Sequence, residues 1–134
     1  VDPEIEDTIS RMNKTWGGEF EIEFFEDWKK VLKSKIDDYT VVHLTMYGEK
    51  IDDVAKEIRK NKNILIVVGA EKVPRAIYEK ADYNISIGNQ PHSEISALAI
   101  LLDRLHKGKQ FDMKFNNSTR RIIPIKKGKK VISK

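Results

Sequence analysis

A mostly parallel α/β fold is predicted by three observations. Two short apolar runs, Ile64-Leu65-Ile66-Val67-Val68 and Tyr83-Asn84-Ile85-Ser86, have the length and composition of buried strands. They alternate with amphipathic helical stretches, as in a layered α/β domain. Each run leads directly into a polar loop containing Gly and Pro, the first from Gly69 to Pro74 and the second from Ile87 to Glu94. In open α/β sheets ligands sit beyond the carboxyl ends of strands, so these two loops form a candidate binding site.

The elements follow in order. Asp2 can cap a first helix, Pro3 suits its opening turn, and Glu4, Glu6 and Asp7 favour its positive end. Ile5, Ile9, Met12 and Trp16 share one helical face, and Gly17-Gly18 ends it. Phe20-Glu21-Ile22-Glu23-Phe24 alternates with period two and predicts a half-buried strand. Trp28, Val31, Leu32 and Ile36 space as a short helix. Tyr39 to Leu44 is a β-branched strand run that ends in a turn at Met46-Tyr47-Gly48.

Ile51, Val54, Ala55 and Ile58 mark an amphipathic helix before the 64–68 strand, and a short helix near Arg75–Lys80 precedes the 83–86 strand. Ser93 can cap the last long helix, with Ile95, Leu98, Ala99, Leu102 and Leu105 expected to face inward. Arg121 to Ile125 and Lys130 to Ser133 flank Lys127-Gly128 and suggest a terminal hairpin. Opening on a helix at Val1, without methionine, is unusual for this class, so an upstream first strand is expected.

At 134 residues the chain fits one domain that can bury a core without disulfides or metals. With 40% hydrophobic and 34% charged residues it reads as a soluble globular protein. No run reaches the length of a membrane span and no signal-peptide pattern occurs, so a cytoplasmic location is expected. The absence of cysteine excludes disulfides, thiolate catalysis and Cys-bound metals. Abundant Lys and Ile lean towards a heat-tolerant source.

The net charge of +4 conceals an asymmetry. Residues 1–106 carry 15 basic and 20 acidic side chains, whereas residues 107–134 carry ten basic side chains and only Asp112. Such a cluster is the electrostatic footprint of a phosphate-backbone partner, or else a solvated hairpin.

The common nucleotide and hydrolase signatures are missing: there is no G-x-G-x-x-G, no G-x-x-x-x-G-K-[ST] and no G-x-S-x-G. His43, His92 and His106 lack metal-ligand spacing, and no metal is expected. His43, inside an apolar strand, reads as a packed residue. His92, beside Gln90, Ser93 and Glu94, reads as a ligand contact. Gly69 and Gly88 allow sharp turns and close approach, Pro74 and Pro91 fix those turns, and the Ser93 helix offers free N–H groups. The loops are therefore either a small-molecule cradle built from backbone groups or ordinary connectors.

Three stretches carry a family resemblance: Val42-His43-Leu44-Thr45-Met46-Tyr47-Gly48, Val68 to Pro74, and Gly88 to Glu94 with Ala97-Leu98-Ala99 and Leu102-Asp103-Arg104-Leu105. In this order they closely resemble the archaeal tRNA (cytidine(56)-2'-O)-methyltransferases, a branch of the SPOUT methyltransferases. Trp16-Gly17-Gly18 and the basic stretch Gly128-Lys129-Lys130-Val131 look like that family too.

The resemblance implies an α/β knot: a mostly parallel sheet, a deep C-terminal trefoil knot and a C-terminal β-hairpin. The knot would be one of the rare exceptions to unknotted topology. It further implies S-adenosyl-L-methionine as cofactor, tRNA as substrate and a homodimer through the knot region. By position, the cofactor-binding residues would be Leu44; then Gly69, Ala70, Glu71, Lys72 and Val73; then Ile87, Gly88, Asn89, Gln90, Pro91, His92, Ser93 and Glu94. The methyltransferase domain is expected over residues 1–120 and a basic hairpin or tail over 121–134.

SPOUT ribose methyltransferases draw a catalytic arginine from a motif after their first strand. Nothing from Val1 to Trp16 matches it, so that motif is expected upstream and no catalytic residue is assigned. Arg75 reads as a phosphate contact or a surface arginine. The implied reaction is 2'-O-methylation of a tRNA ribose. The alternatives are a catalytically incomplete RNA-binding module and a SPOUT enzyme acting on another RNA nucleotide.

Overall fold

The computed structural model describes residues 3–69 and 72–133, so the expected cap at Asp2 lies outside the described residues. The chain divides into two compact units, Asp27–Asp112 and a second made of Val1–Glu26 with Met113–Lys134.

The Asp27–Asp112 unit contains α2 (Trp28–Lys35), β1 (Thr40–Lys50), α3 (Ile51–Arg59), β2 (Ile64–Val68), α4 (Arg75–Lys80), β3 (Tyr83–Ser86), α5 (Glu94–His106) and a 3-10 turn (Lys109–Asp112). The strands form one parallel sheet in the order β2-β1-β3. Central β1 sends alternate side chains to opposite faces, as a pleated strand must. Val42 and Leu44 join Ile51, Val54, Ala55 and Ile58 of α3, Ile85 of β3, and Ala97 and Leu101 of α5. Val41 joins Leu32 of α2 and Ile77 of α4 in a second cluster. β2 repeats the alternation: Ile64 and Ile66 pack on the first cluster, Leu65 and Val67 on the second. Helices thus cover both sheet faces, which is why β1 and β2 read as continuous apolar runs.

Two local results differ from the sequence expectation. β1 does not stop before Gly48: Ile85 lies opposite both Leu44 and Glu49, so residues 45–48 bulge out and the strand then rejoins the ladder. Gly48 is required at the return, because a Cβ there would run into the Asn84 carbonyl of β3. On α5 the inward stripe is Ala97, Leu98, Leu101 and Leu105. Ile95 is 82% exposed and Leu102 38%. The helix is apolar on so many sides that periodicity permits two faces, and the small Ala97 side chain favours the one that packs closely.

In the other unit, α1 (Pro3–Trp16) has no buried residue. β4 (Arg120–Ile122) and β5 (Val131–Ser133) pair antiparallel, Arg121 opposite Ile132. Trp16-Gly17-Gly18 gains a structural reason here. Gly17 ends α1 at φ +85°, and a Cβ on it would collide with Phe115 and Asn117. The Asn117 amide then binds both sides of Gly18, accepting from its N–H at 3.0 Å and donating to its carbonyl at 3.1 Å. Arg120 lies over the Trp16 ring at 5.5 Å.

The expected strand at 20–24 is absent. Among the described residues it has no ladder partner, and Phe20 is 67% exposed. Alternation sets a face only where a neighbouring edge supplies hydrogen bonds. No helix among the described residues is long and apolar enough to cross a membrane.

Candidate functional site

An open cavity of about 500 Å³ lies at the bulge of β1, beside the carboxyl end of β2 and the loop that follows β3, within the Asp27–Asp112 unit. That volume falls in the range of cofactor and small-ligand sites. His43, Leu44 and Ala97 form its buried part, and Val68 and Val73 add apolar wall. Tyr47, Lys72, His92 and Glu94 stand exposed around it.

Three chain segments build this cavity. The 45–48 bulge supplies Thr45, Met46 and Tyr47. The loop after β2 supplies Gly69, Lys72 and Val73, while Ala70 and Glu71 lie outside the described residues. The loop after β3 supplies Pro91, His92 and Glu94.

Of the other expected site residues of the third loop, Ile87, Asn89 and Ser93 do structural work. Ile87 packs on the core. Asn89 donates its side-chain amide to the Met46 carbonyl at 2.6 Å and to Ser86 Oγ at 3.3 Å, tying the third loop to the bulge. Ser93 caps α5, its Oγ accepting from the Ser96 N–H at 3.4 Å, as expected. Gln90 is exposed. Gly88 needs no unusual backbone angle, since its φ is not positive, and a Cβ there would stand 4.0 Å from its nearest neighbour, His92. The sharp-turn argument therefore fails at Gly88. Arg75 is paired with Glu79 at 3.0 Å across one helical turn and is almost fully exposed.

Sequence reasoning gave His43 to the core, and the structure gives it to both core and cavity. The residue borders the cavity, while its ring is fully buried and meets the Tyr78 ring edge-on at 4.7 Å between centroids. Nδ1 lies 2.9 Å from Asn84 Oδ1, and Tyr78 OH lies 3.0 Å from Thr45 Oγ1. Burial pushes the imidazole pKa down, against a smaller upward pull from Asn84. Burial therefore favours the neutral ring. Tyr78, on a helix of only six residues, carried no sequence signal for a site role.

Among the described residues, no group of three or more His, Asp or Glu gathers to hold a metal ion. The lining suits an organic ligand with an apolar body and a few polar groups, with one basic and one acidic side chain outside.

Comparison with known proteins agrees with this chemistry. The family described as tRNA ribose 2'-O-methyltransferase, aTrm56, matches residues 16–132. The chain is 61% identical over 132 residues to the tRNA (cytidine(56)-2'-O)-methyltransferase of Nitrosopumilus maritimus (strain SCM1), covering 98% of this chain and 75% of that protein. It is 51% identical over 136 residues to the protein of the same description from Thermococcus kodakarensis, covering 98% and 73%. The corresponding protein of Methanocaldococcus jannaschii is 47% identical over 134 residues, covering 98% and 75%.

Proposed function

This chain belongs to the tRNA ribose 2'-O-methyltransferase family, and we propose that it methylates the ribose 2'-oxygen of cytidine 56 in tRNA, with S-adenosyl-L-methionine as methyl donor. The observation that carries the reading is the cavity between the β1 bulge, the end of β2 and the loop after β3, bounded by the segments whose residues bear the family resemblance.

Leu44, the 69–73 loop and the 87–94 loop would hold the cofactor. The apolar wall of Leu44, Val73 and Ala97 suits a nucleoside, and Lys72 and Glu94 suit the charged ends of an amino-acid group. When bound, the cofactor supplies a methyl carbon already activated by its sulfonium. The chain's part is to orient that ligand and to exclude water from it, since alignment supplies much of the rate. A ribose hydroxyl attacks only once its proton is drawn away, and no described residue is assigned that task.

Three finer readings go with this function. The sheet order β2-β1-β3 and the clustering of the three loops support the SPOUT-type knotted topology. Exposed Ile95, Ala99 and Leu102, spaced along one side of α5, support a homodimer through that helix. The substrate is tRNA, so the protein works in the cytoplasm.

Isothermal titration with S-adenosylhomocysteine is expected to show micromolar-range binding, about −8 kcal/mol. No binding to the folded protein would overturn the cofactor assignment. Mass-spectrometric mapping of unmodified tRNA after incubation with the protein and cofactor is expected to place the methyl group at cytidine 56. A methyl group elsewhere would reassign the target.

A further inference from the structure

Methylation of a ribose dictates where the base of the target nucleotide must go. The 2'-oxygen sits on the sugar carbon next to the one that bears the base, so a ribose brought to the cavity carries its base to the cavity rim. A base turned out of its stack has lost the faces of its neighbours, and RNA-binding proteins replace them with aromatic side chains.

Tyr47 stands at that rim. It borders the cavity and is 76% exposed, which leaves its ring accessible to a ligand there. Among the described residues its hydroxyl has no hydrogen-bond partner and its ring meets no other aromatic ring. The other tyrosine on the cavity, Tyr78, is already engaged, through its hydroxyl with Thr45 at 3.0 Å and through its ring with His43.

The backbone beneath Tyr47 is held in place. Met46 accepts from Asn89 on one side of it, and the Tyr47 N–H points to Thr45 Oγ1 at 3.4 Å. On the other side Gly48 packs on the Asn84 carbonyl too closely for a Cβ, and the Glu49 carbonyl accepts from Ser86 Oγ at 3.4 Å. Bulges re-aim side chains beside functional sites, and this one interrupts the central strand to put an aromatic residue in solvent. A ring carried on so restrained a segment binds with less ordering cost than one on a loose loop.

We propose that Tyr47 stacks on the base of the target nucleotide and so holds the tRNA ribose over the cavity. The inference rests on the reading of the chain as a tRNA ribose methyltransferase with this cavity as its cofactor site. The nucleotide belongs to the RNA, because Tyr47 stands mostly in solvent while the apolar wall that suits the cofactor's nucleoside is formed by Leu44, Val73 and Ala97. Stacking uses the ring face, so the hydroxyl is dispensable.

The test measures tRNA affinity with saturating S-adenosylhomocysteine, using intact tRNA and a tRNA whose nucleotide 56 keeps its ribose but has no base. Wild type and Tyr47→Phe should bind the intact tRNA roughly 5- to 100-fold more tightly than the base-free one. Tyr47→Ala and Tyr47→Leu should bind both alike, at the base-free level, while their affinity for S-adenosylhomocysteine stays as in wild type. Should the alanine variant fail to fold, Tyr47→Leu, which keeps apolar bulk without a ring face, decides. The inference is overturned if wild type binds the two tRNAs equally, if the ring-less variants still discriminate, or if Tyr47→Phe loses the preference. Weakened S-adenosylhomocysteine binding in the ring-less variants would also overturn it, by placing the ring on the cofactor. If folded wild type binds neither S-adenosylhomocysteine nor tRNA, the proposed function itself fails, which is a separate result.

Discussion

Asn89 and Met46 are joined by a hydrogen bond of 2.6 Å, from the Asn89 side-chain amide to the Met46 carbonyl. The two residues lie far apart in sequence, one in the loop after β3 and the other in the bulge of β1. Their bond fixes one wall of the cavity relative to another.

Replacing Asn89 by alanine should therefore loosen the site more than the fold. Cofactor-product affinity is expected to fall about 10-fold, the loss of one well-placed hydrogen bond together with the carbonyl it satisfies. Calorimetry on the variant checks this, and an unchanged affinity would mean that the two loops hold their places independently.

Gly48 and Gly88 should respond in opposite ways. Gly48→Ala forces a Cβ into the Asn84 carbonyl, a backbone atom of the adjoining strand that cannot move aside cheaply. A loss of about 3 kcal/mol in urea unfolding is expected, the upper end of overpacking costs. Gly88→Val has room in the fold, so it should keep its urea midpoint while abolishing cofactor binding. Retained affinity in Gly88→Val would remove that backbone from the ligand's surface.

His43 makes stability depend on pH. Its folded-state pKa lies below the unfolded value, so at acidic pH the unfolded chain binds a proton that the folded chain refuses. Stability is therefore complete above about pH 6.5. As the pH falls below that value stability declines, by at most about 1.4 kcal/mol per pH unit, until the folded pKa is reached. Denaturation of wild type and His43→Phe at pH 7.5 and 5.0 should show a smaller acid loss in the variant. Parallel losses would place the sensitivity elsewhere.

The pair β4–β5 and its connection carry Arg120, Arg121, Lys126, Lys127, Lys129 and Lys130, all exposed. Affinity for tRNA should fall steeply with added salt, and alanine at Lys126, Lys127, Lys129 and Lys130 should flatten the slope of log K against log salt by roughly one unit per lost phosphate contact. An identical slope in the variant would make the segment a solvated surface.

On the homodimer proposed above, Ile95→Glu, on the exposed side of α5, should leave the fold intact and give a monomer in sedimentation velocity where wild type gives a dimer. A dimer that persists would exclude this helix from the interface.

Much of the fold was readable because local chemistry and tertiary packing agree. The 64–68 and 83–86 strands, the Ser93 cap and the Gly17 stop all appear where composition and spacing put them. The site was readable in outline, since polar loops after buried strands mark ligand crevices in this class. The errors came where a neighbour decides. Residues 20–24 alternate like a strand and find no edge to pair with. The α5 pattern allowed two inward faces, and packing against α3 and the sheet selected the one through Ala97 and Leu101.

The sequence by itself determined the α/β class, the two polar loops and the family, because these are written in residue types and their order along the chain. The tertiary structure decided what single residues in those loops do. Asn89 reads as a ligand contact until its amide is seen on Met46, and Gly88 reads as a turn glycine until its φ is known. His43 reads as a plain packed residue until Asn84 is seen to hold its Nδ1, which leaves Nε2 buried without a partner among the described residues. The physical reason is the same in each case: a polar side chain's role depends on which partners converge on it, and those partners come from strands and loops distant in sequence.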